Sequence, residues 1–206
     1  MKRNLEIKRL FLSHFNEAKT ELVFQNPYEL IVCVMLSAQC TDKRVNLITP
    51  ALFKAYPSVQ DLARANLASV KVLIQSCSFF NNKAENLIKM AQAVCEKFGG
   101  EIPLTQQDLQ SLAGVGQKTA NVVLIEWCGA NVMAVDTHIF RVAHRLDLSW
   151  GKTPEAVEAD LTKLFKDRLN TLHQAMVLFG RYTCKAKNPL CSECFLNHLC
   201  KSSDKK

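Results

Sequence analysis

Leu112-Ala113-Gly114-Val115-Gly116-Gln117-Lys118-Thr119 is the stretch from which the rest of the chain is best read. Two glycines bracket one apolar residue, and a segment of helical period, residues 117–128 (QKTANVVLIEWC), follows at once. Glycine tolerates the dihedrals of a tight reversal and leaves its surface bare. Val115 can plug the turn into a core. Backbone N–H groups at the start of the following helix favour an anion, such as a nucleic-acid phosphate. A bare Gly-x-Gly is more often a plain helix–helix turn. Here a helical segment precedes it, Lys118 falls in the first turn after it, and the chain is basic, so the anion-binding reading gains weight.

Outward from this hairpin the apolar pattern stays helical. Residues 28–38 (YELIVCVMLSA) are almost wholly apolar, as expected of a helix buried on most sides. Residues 82–97 carry Ala84, Leu87, Ile88, Ala91 and Val94 on one stripe and run into Gly99-Gly100, a helix stop. Residues 154–166 open with Thr153 as N-cap, Pro154 at the first helical position and Glu155 in the first turn. Residues 171–183 lead into a cysteine cluster, and the start of the chain reads as an amphipathic helix. The first and last helices are expected to pack together. Alternating strand patterns and Asn-Gly or Asp-Gly hairpins are absent, so the expected class is all-α.

Lys and Arg number 26 against 19 Asp and Glu, a formal net charge of +7. That favours a polyanionic partner, nucleic acid before an anionic membrane. Part of the excess lies at the start (Lys2, Arg3, Lys8, Arg9) and part near the end, where KSSDKK is expected to be a disordered tail. No apolar run is long enough to span a membrane, and the N-terminus lacks a signal peptide's pattern. Five of the nine cysteines are scattered; Cys184, Cys191, Cys194 and Cys200 fall within 17 residues. This is unlike a small secreted disulfide framework and points to a reducing compartment, buried thiols and one metal centre. The spacing Cys-x6-Cys-x2-Cys-x5-Cys suits zinc or an iron–sulfur cluster and does not choose between them. His198 is superfluous as a further ligand. The loop from Lys185 to Leu190 carries Lys185 and Lys187, either solvated or offered to phosphates.

Two residues near the hairpin carry candidate chemistry. The helix dipole disfavours the ammonium form of Lys118, and with desolvation its amine becomes available as a nucleophile. The plain alternative is an exposed or phosphate-binding lysine. Eighteen residues on, Asp136 precedes a helical segment and suits an N-cap; the functional alternative is a carboxylate that takes a proton or stabilises positive charge on a sugar. His138 fits a structural role better than a catalytic one.

MLSAQCTDKRVN (35–46), FFNNKAENL (79–87), LAGVGQKTANVVL (112–124), AVDTHIFRVAHRL (134–146) and the four-cysteine terminus together resemble the bacterial endonuclease III family of helix-hairpin-helix DNA glycosylases. The resemblance implies two helical lobes flanking a DNA cleft. Residues 20–132 would form a six-helix barrel with the hairpin; residues 1–19 and 133–206 would form a lobe around a [4Fe–4S] cluster held by Cys184, Cys191, Cys194 and Cys200. It implies Lys118 and Asp136 as the catalytic pair, and Gln39 and Phe79 as side chains inserted where a base is flipped out. Gly114, Val115 and Gly116 would hold DNA backbone. The implied activity is excision of oxidised pyrimidines from double-stranded DNA with β-elimination at the abasic site, by a monomer in the bacterial cytoplasm, associated with the nucleoid. Without the resemblance Gln39 reads as a polar helix end and Phe79 as core; Phe79 replaces an aliphatic residue and Ala113 a proline, and Asp42 follows the pattern as a structural residue. An adenine glycosylase is disfavoured by Lys118 at the nucleophile position. A non-catalytic DNA-binding module is disfavoured by the joint presence of Lys118 and Asp136.

Overall fold

The structure is a computed structural model that describes residues 2–203 and 205. Of the terminal tail, Asp204 and Lys206 lie outside the described residues. Among the described residues there are helices and connections and no strands. No helix is long and apolar enough to cross a membrane. The chain divides into two compact units. One is Glu21–Cys128; the other joins the N-terminal segment up to Thr20 with the chain from Gly129 onward.

The unit Glu21–Cys128 is organised by α2 (Pro27–Ser37), whose residues from Leu30 to Leu36 are all buried. A helix apolar on every side belongs at the middle of a bundle. Asn26 caps it by accepting the Glu29 N–H at 2.9 Å, and Pro27 occupies the first helical position. Around it pack α3 (Asp42–Ala55), α6 (Phe80–Phe98) and α8 (Gln117–Cys128). Three short helices, α4 (Val59–Ala63), α5 (Leu67–Ile74) and α7 (Gln106–Gln110), fill the perimeter, each started by a polar cap at Ser58, Asn66 or Thr105. The α6 stripe is buried at Ala84, Leu87, Ala91 and Val94, and Gly99 ends the helix at φ +62°. Ile88 is only half-buried, and the stripe also takes in Lys83 and Met90.

In the other unit α1 (Lys2–His14) packs on α11 (Leu169–Tyr182), as expected of the first and last helices. Phe11, Phe179 and Phe195 meet edge to face, with centroids 5.2 to 5.7 Å apart. This trio joins both helices to the cysteine segment. α9 (Thr137–Arg145) approaches α11 closely at Gly180, where a Cβ would fall 2.9 Å from that of His138. α10 (Pro154–Phe165) is capped by Thr153 and ends one residue short of the expected 166, because Lys166 turns to φ +63°. α11 starts at Leu169, not Thr171, following a left-handed Arg168.

Some of the N-terminal charge is spent internally. Arg3 donates to Leu146 O at 2.7 Å and to Leu199 O at 2.8 Å, and Lys8 reaches Phe165 O and Asp167. These cations tie α1 to the rest of its unit. The described tail is also engaged: Lys201 pairs with Asp147, and Lys205 donates to Asn197 O at 2.9 Å. Of the five scattered cysteines only Cys33 and Cys77 are buried, and Cys128 is exposed.

Candidate functional site

The hairpin is built as the sequence suggested, with two adjustments. Val115 is buried and its N–H turns inward to Leu112 O at 3.1 Å, so that donor is not offered outward. Gly114 and Gly116 are exposed for different reasons. Gly114 has φ +75°, and a Cβ there would meet the Asn86 side chain at 2.9 Å. Gly116 would meet nothing within 4 Å. Internal packing therefore requires glycine at 114 but not at 116, and the bare surface at 116 suits the close approach of something outside the chain. Gly116 O accepts the Ala120 N–H at 3.0 Å and so begins α8. Lys118 stands in the first turn, exposed. Its exposure agrees with the plain alternative, and the glycines that clear the rim leave nothing of their own to cover it.

Gln39 and Phe79 both adopt left-handed backbone, φ +53° and +56°, and both are exposed, Phe79 by 63%. Non-glycine residues rarely sit there, and such strain clusters at functional positions. The plain reading of Phe79 as core is overturned. The two segments are tied by a side chain that the sequence reading passed over. Lys83, 8% exposed, sends its ammonium to Leu36 O at 2.8 Å and Ala38 O at 2.7 Å, the carbonyls at the end of α2 just before Gln39. Its own N–H bonds Phe79 O at 3.1 Å. Burial pushes its pKa below the usual lysine range, partly opposed by the nearby Cys77 and Cys40. A second tie runs from Cys40 Sγ to Cys77 Sγ, 3.5 Å apart. The missed signal was a lysine at positions i, i+4, i+7 and i+11 of a core stripe with Leu87, Met90 and Val94.

In the other unit Asp136 is the N-cap of α9, accepting the Ile139 N–H at 2.8 Å on Oδ1. An ionised carboxylate offers about four lone-pair sites, so capping does not exhaust it. His138 contacts the Arg141 guanidinium at 3.3 Å, a structural position. Arg141 also donates to Gly180 O at 2.6 Å and Cys184 O at 3.0 Å; burial lowers its pKa, while Cys184 and Asp136 act to raise it.

The four clustered cysteines are each half-buried around a cavity of about 420 Å³, counting its open side, lined also by Arg145, Leu146 and Phe179. Four thiols around a space of that size are a donor set that fits a multi-metal group. Burial raises the Cys194 thiol, and Cys184, Cys200 and Cys191 raise it further. Thiolates gathered in this way need bound cations to share their charge. Arg145 donates to Cys184 Sγ at 3.5 Å, to Lys185 O at 2.7 Å and to Ala186 O at 3.3 Å, so it fastens the loop that carries the exposed Lys185 and Lys187. The sequence reading missed Arg145 too; nothing local distinguishes it from a surface arginine.

Comparison with known proteins draws these parts together. Residues 32–167 match the HhH-GPD superfamily of base excision DNA repair proteins, and residues 184–200 match the iron–sulfur binding domain of endonuclease III. The second match resolves the choice that cysteine spacing left open between zinc and an iron–sulfur cluster: the cofactor is an iron–sulfur cluster. The chain is 42% identical to endonuclease III of Bacillus subtilis over 93% of its length and 89% of the relative's. It is 39% identical to that of Escherichia coli K12, over 98% of this chain and 97% of the other. A solved structure of a trapped endonuclease III–DNA covalent intermediate superposes with a TM-score of 0.91 at 39% identity, covering 96% of this chain and 95% of that one. The chain belongs to the endonuclease III family of base excision repair enzymes, DNA glycosylases with abasic-site lyase activity.

Proposed function

We propose that this protein excises oxidised pyrimidines from duplex DNA and cleaves the resulting abasic site, with Lys118 as nucleophile and Asp136 as its electrostatic partner. The observation that carries the reading is the exposed Lys118, placed two residues after the bare surface of Gly116. A phosphate drawn to the hairpin and the start of α8 brings the neighbouring sugar within reach of the amine. The neighbouring solved structure is described as a covalent endonuclease III–DNA intermediate, and a lysine amine is suited to make such a bond.

The target nucleotide must first leave the stack. Gln39 and Phe79, exposed on strained backbone, serve as wedges that offset part of the unstacking cost, a few kcal/mol. The Lys118 amine then attacks C1′; the C1′–N bond breaks, and its electron pair leaves with the base. Asp136 stabilises the positive charge that develops on the sugar. The ring opens to an iminium between Lys118 and C1′. That iminium acidifies the C2′ proton, so the 3′ phosphate leaves by β-elimination, and water later frees the lysine. DNA covers Lys118 when bound, which supplies the desolvation that the free protein does not.

Cys184, Cys191, Cys194 and Cys200 would hold the [4Fe–4S] cluster, and by binding it they would fix the C-terminal segment in place. The barrel lobe is the unit with the hairpin, built from α2 to α8, and the cluster lobe is the other. The protein acts as a monomer on the chromosome of a bacterium.

Borohydride present during incubation with abasic-site duplex tests the mechanism. A covalent protein–DNA adduct is expected with the wild type and none with Lys118→Ala. No adduct from wild-type protein that still binds the DNA would overturn the lysine mechanism.

A further inference from the structure

Cys40 and Cys77 have no part in the chemistry above, yet they occupy a telling position. Their sulfurs lie 3.5 Å apart, and they sit beside the two exposed left-handed residues, Cys40 following Gln39 and Cys77 two residues before Phe79. A disulfide bond is about 2.0 Å long, so roughly 1.5 Å of approach would join them. The two sulfurs differ in access. Cys40 is half-buried, whereas Cys77 is 3% exposed. Positive charge faces the pair from two elements, Lys83 on α6 and Arg44 on α3. The Lys83 ammonium is fixed beside them by Leu36 O and Ala38 O. These cations offset part of the burial that holds Cys77 as a thiol.

We propose that Cys40 and Cys77 form a reversible, peroxide-sensitive disulfide that locks together the segments carrying Gln39 and Phe79. The reacting partner is hydrogen peroxide. The Cys40 thiolate, the more accessible, attacks one peroxide oxygen; the O–O bond breaks and hydroxide leaves, to be protonated to water. Cys40 becomes a sulfenic acid, having given two electrons to peroxide. The Cys77 thiol loses its proton, its sulfur attacks Cys40 Sγ, and hydroxide leaves as a second water. Two thiols and one peroxide thus become one disulfide and two waters. A small-molecule dithiol reverses the step by exchange. Access orders the events: the half-buried Cys40 meets peroxide first, and the buried Cys77 resolves it.

The consequence for activity rests on the reading of Gln39 and Phe79 as wedges. Base flipping requires these two segments to accommodate a distorted duplex, and a covalent tie fixes their spacing. Displacements of about 1 Å near a reacting group can cost on the order of a hundredfold in rate, so a loss of about tenfold or more in base release is expected.

The test uses intact, cluster-loaded protein treated with stoichiometric hydrogen peroxide, with the cluster followed by its visible absorbance. Free thiols are then blocked with N-ethylmaleimide and the peptides mapped by mass spectrometry. A peptide pair joined through Cys40 and Cys77 is expected. Base release from an oxidised-pyrimidine duplex should fall about tenfold or more and return with dithiothreitol. Cys40→Ala and Cys77→Ala should each keep their activity through the same treatment. Consumption of the Cys40 thiol without the cross-link would overturn the site. A cross-link with unchanged activity, or equal losses in Cys40→Ala, would overturn the switch. Lack of base release by untreated, reduced protein would instead count against the proposed function, and the peptide map would still decide the disulfide.

Discussion

In the unit Glu21–Cys128 the exposed residues Gln39 and Phe79 are held by the chain itself, through Lys83 and a cysteine pair, as the hairpin is held by the buried Val115. In the other unit the loop that carries Lys185 and Lys187 begins at one half-buried cysteine and ends at another, with Arg145 as its main support from a helix. The first arrangement is complete in protein atoms. The second gathers four thiols around a cavity that only a bound cofactor makes favourable. One surface should therefore survive loss of iron, and the other should not.

Iron removal is the largest test of that contrast. Hydrogen exchange should rise to near-unprotected levels across residues 184–200 after oxidative loss of the cluster, while protection of α2, α6 and α8 stays within error. Equal losses in both units would show that the hairpin unit depends on the cofactor. Next comes the anchor beneath the cysteine segment. Phe11→Ala removes a fully buried ring that meets both Phe179 and Phe195. It should lower the unfolding free energy by about 3–5 kcal/mol and loosen the cysteine segment even with iron bound. A loss under about 1 kcal/mol in a denaturant titration would mean that the cluster alone holds this region.

The corresponding change in the other unit is Lys83→Met. It removes the donor to two carbonyls and should cost about 1–3 kcal/mol, with faster exchange around Gln39 and Phe79. Unchanged exchange there would show that the strained segments are held by something other than this lysine. The same unit also predicts an alkaline weakness. Burial raises the Cys33 thiol from 9.0 to about 12 and the Cys77 thiol from 9.0 to about 11. Below about pH 9 both are protonated in the folded and unfolded chains, and pH has no effect through them. Above it the unfolded chain binds fewer protons than the folded one, so stability falls as pH rises toward the folded values. The loss should shrink in Cys33→Ala, measured as the change in unfolding free energy between about pH 8 and pH 10.

These residues also show what a sequence reveals. The all-α class, the α2 core helix, the caps at Thr153 and Asp136 and the buried Val115 follow from local spacing, because period and capping chemistry act within a few residues. Lys83 and Arg145 were not legible. Their partners, Leu36 and Ala38 for one and Lys185 and Ala186 for the other, are about 40 or more residues away, and a lysine or arginine carries no mark of which carbonyl it will meet. Phe79 was misread without family information for a related reason. An aromatic residue beside a helix is ordinarily core, and only its left-handed backbone turns it outward. Cysteine spacing pointed to a metal centre but not to its kind, because zinc and iron–sulfur clusters both accept four thiolates; the family match decided that.

The smallest expected effect concerns the loop that the cysteines delimit. Lys185 and Lys187 are exposed, so replacing both by alanine should leave folding and cluster absorbance unchanged. If they bind phosphates, each releases counterions on binding, and the slope of log affinity against log salt should fall by roughly 0.9 for each phosphate no longer neutralised. Affinity should weaken alike for damaged and undamaged duplex, because a lysine on a phosphate reads nothing of the base. The same pair of substitutions separates the two surfaces. Changes at Gln39 or Phe79 should alter base release more than the salt slope; changes at Lys185 and Lys187 should do the reverse. A slope that does not move would assign the loop to solvent, and the cluster would then clamp the fold without presenting charge to DNA.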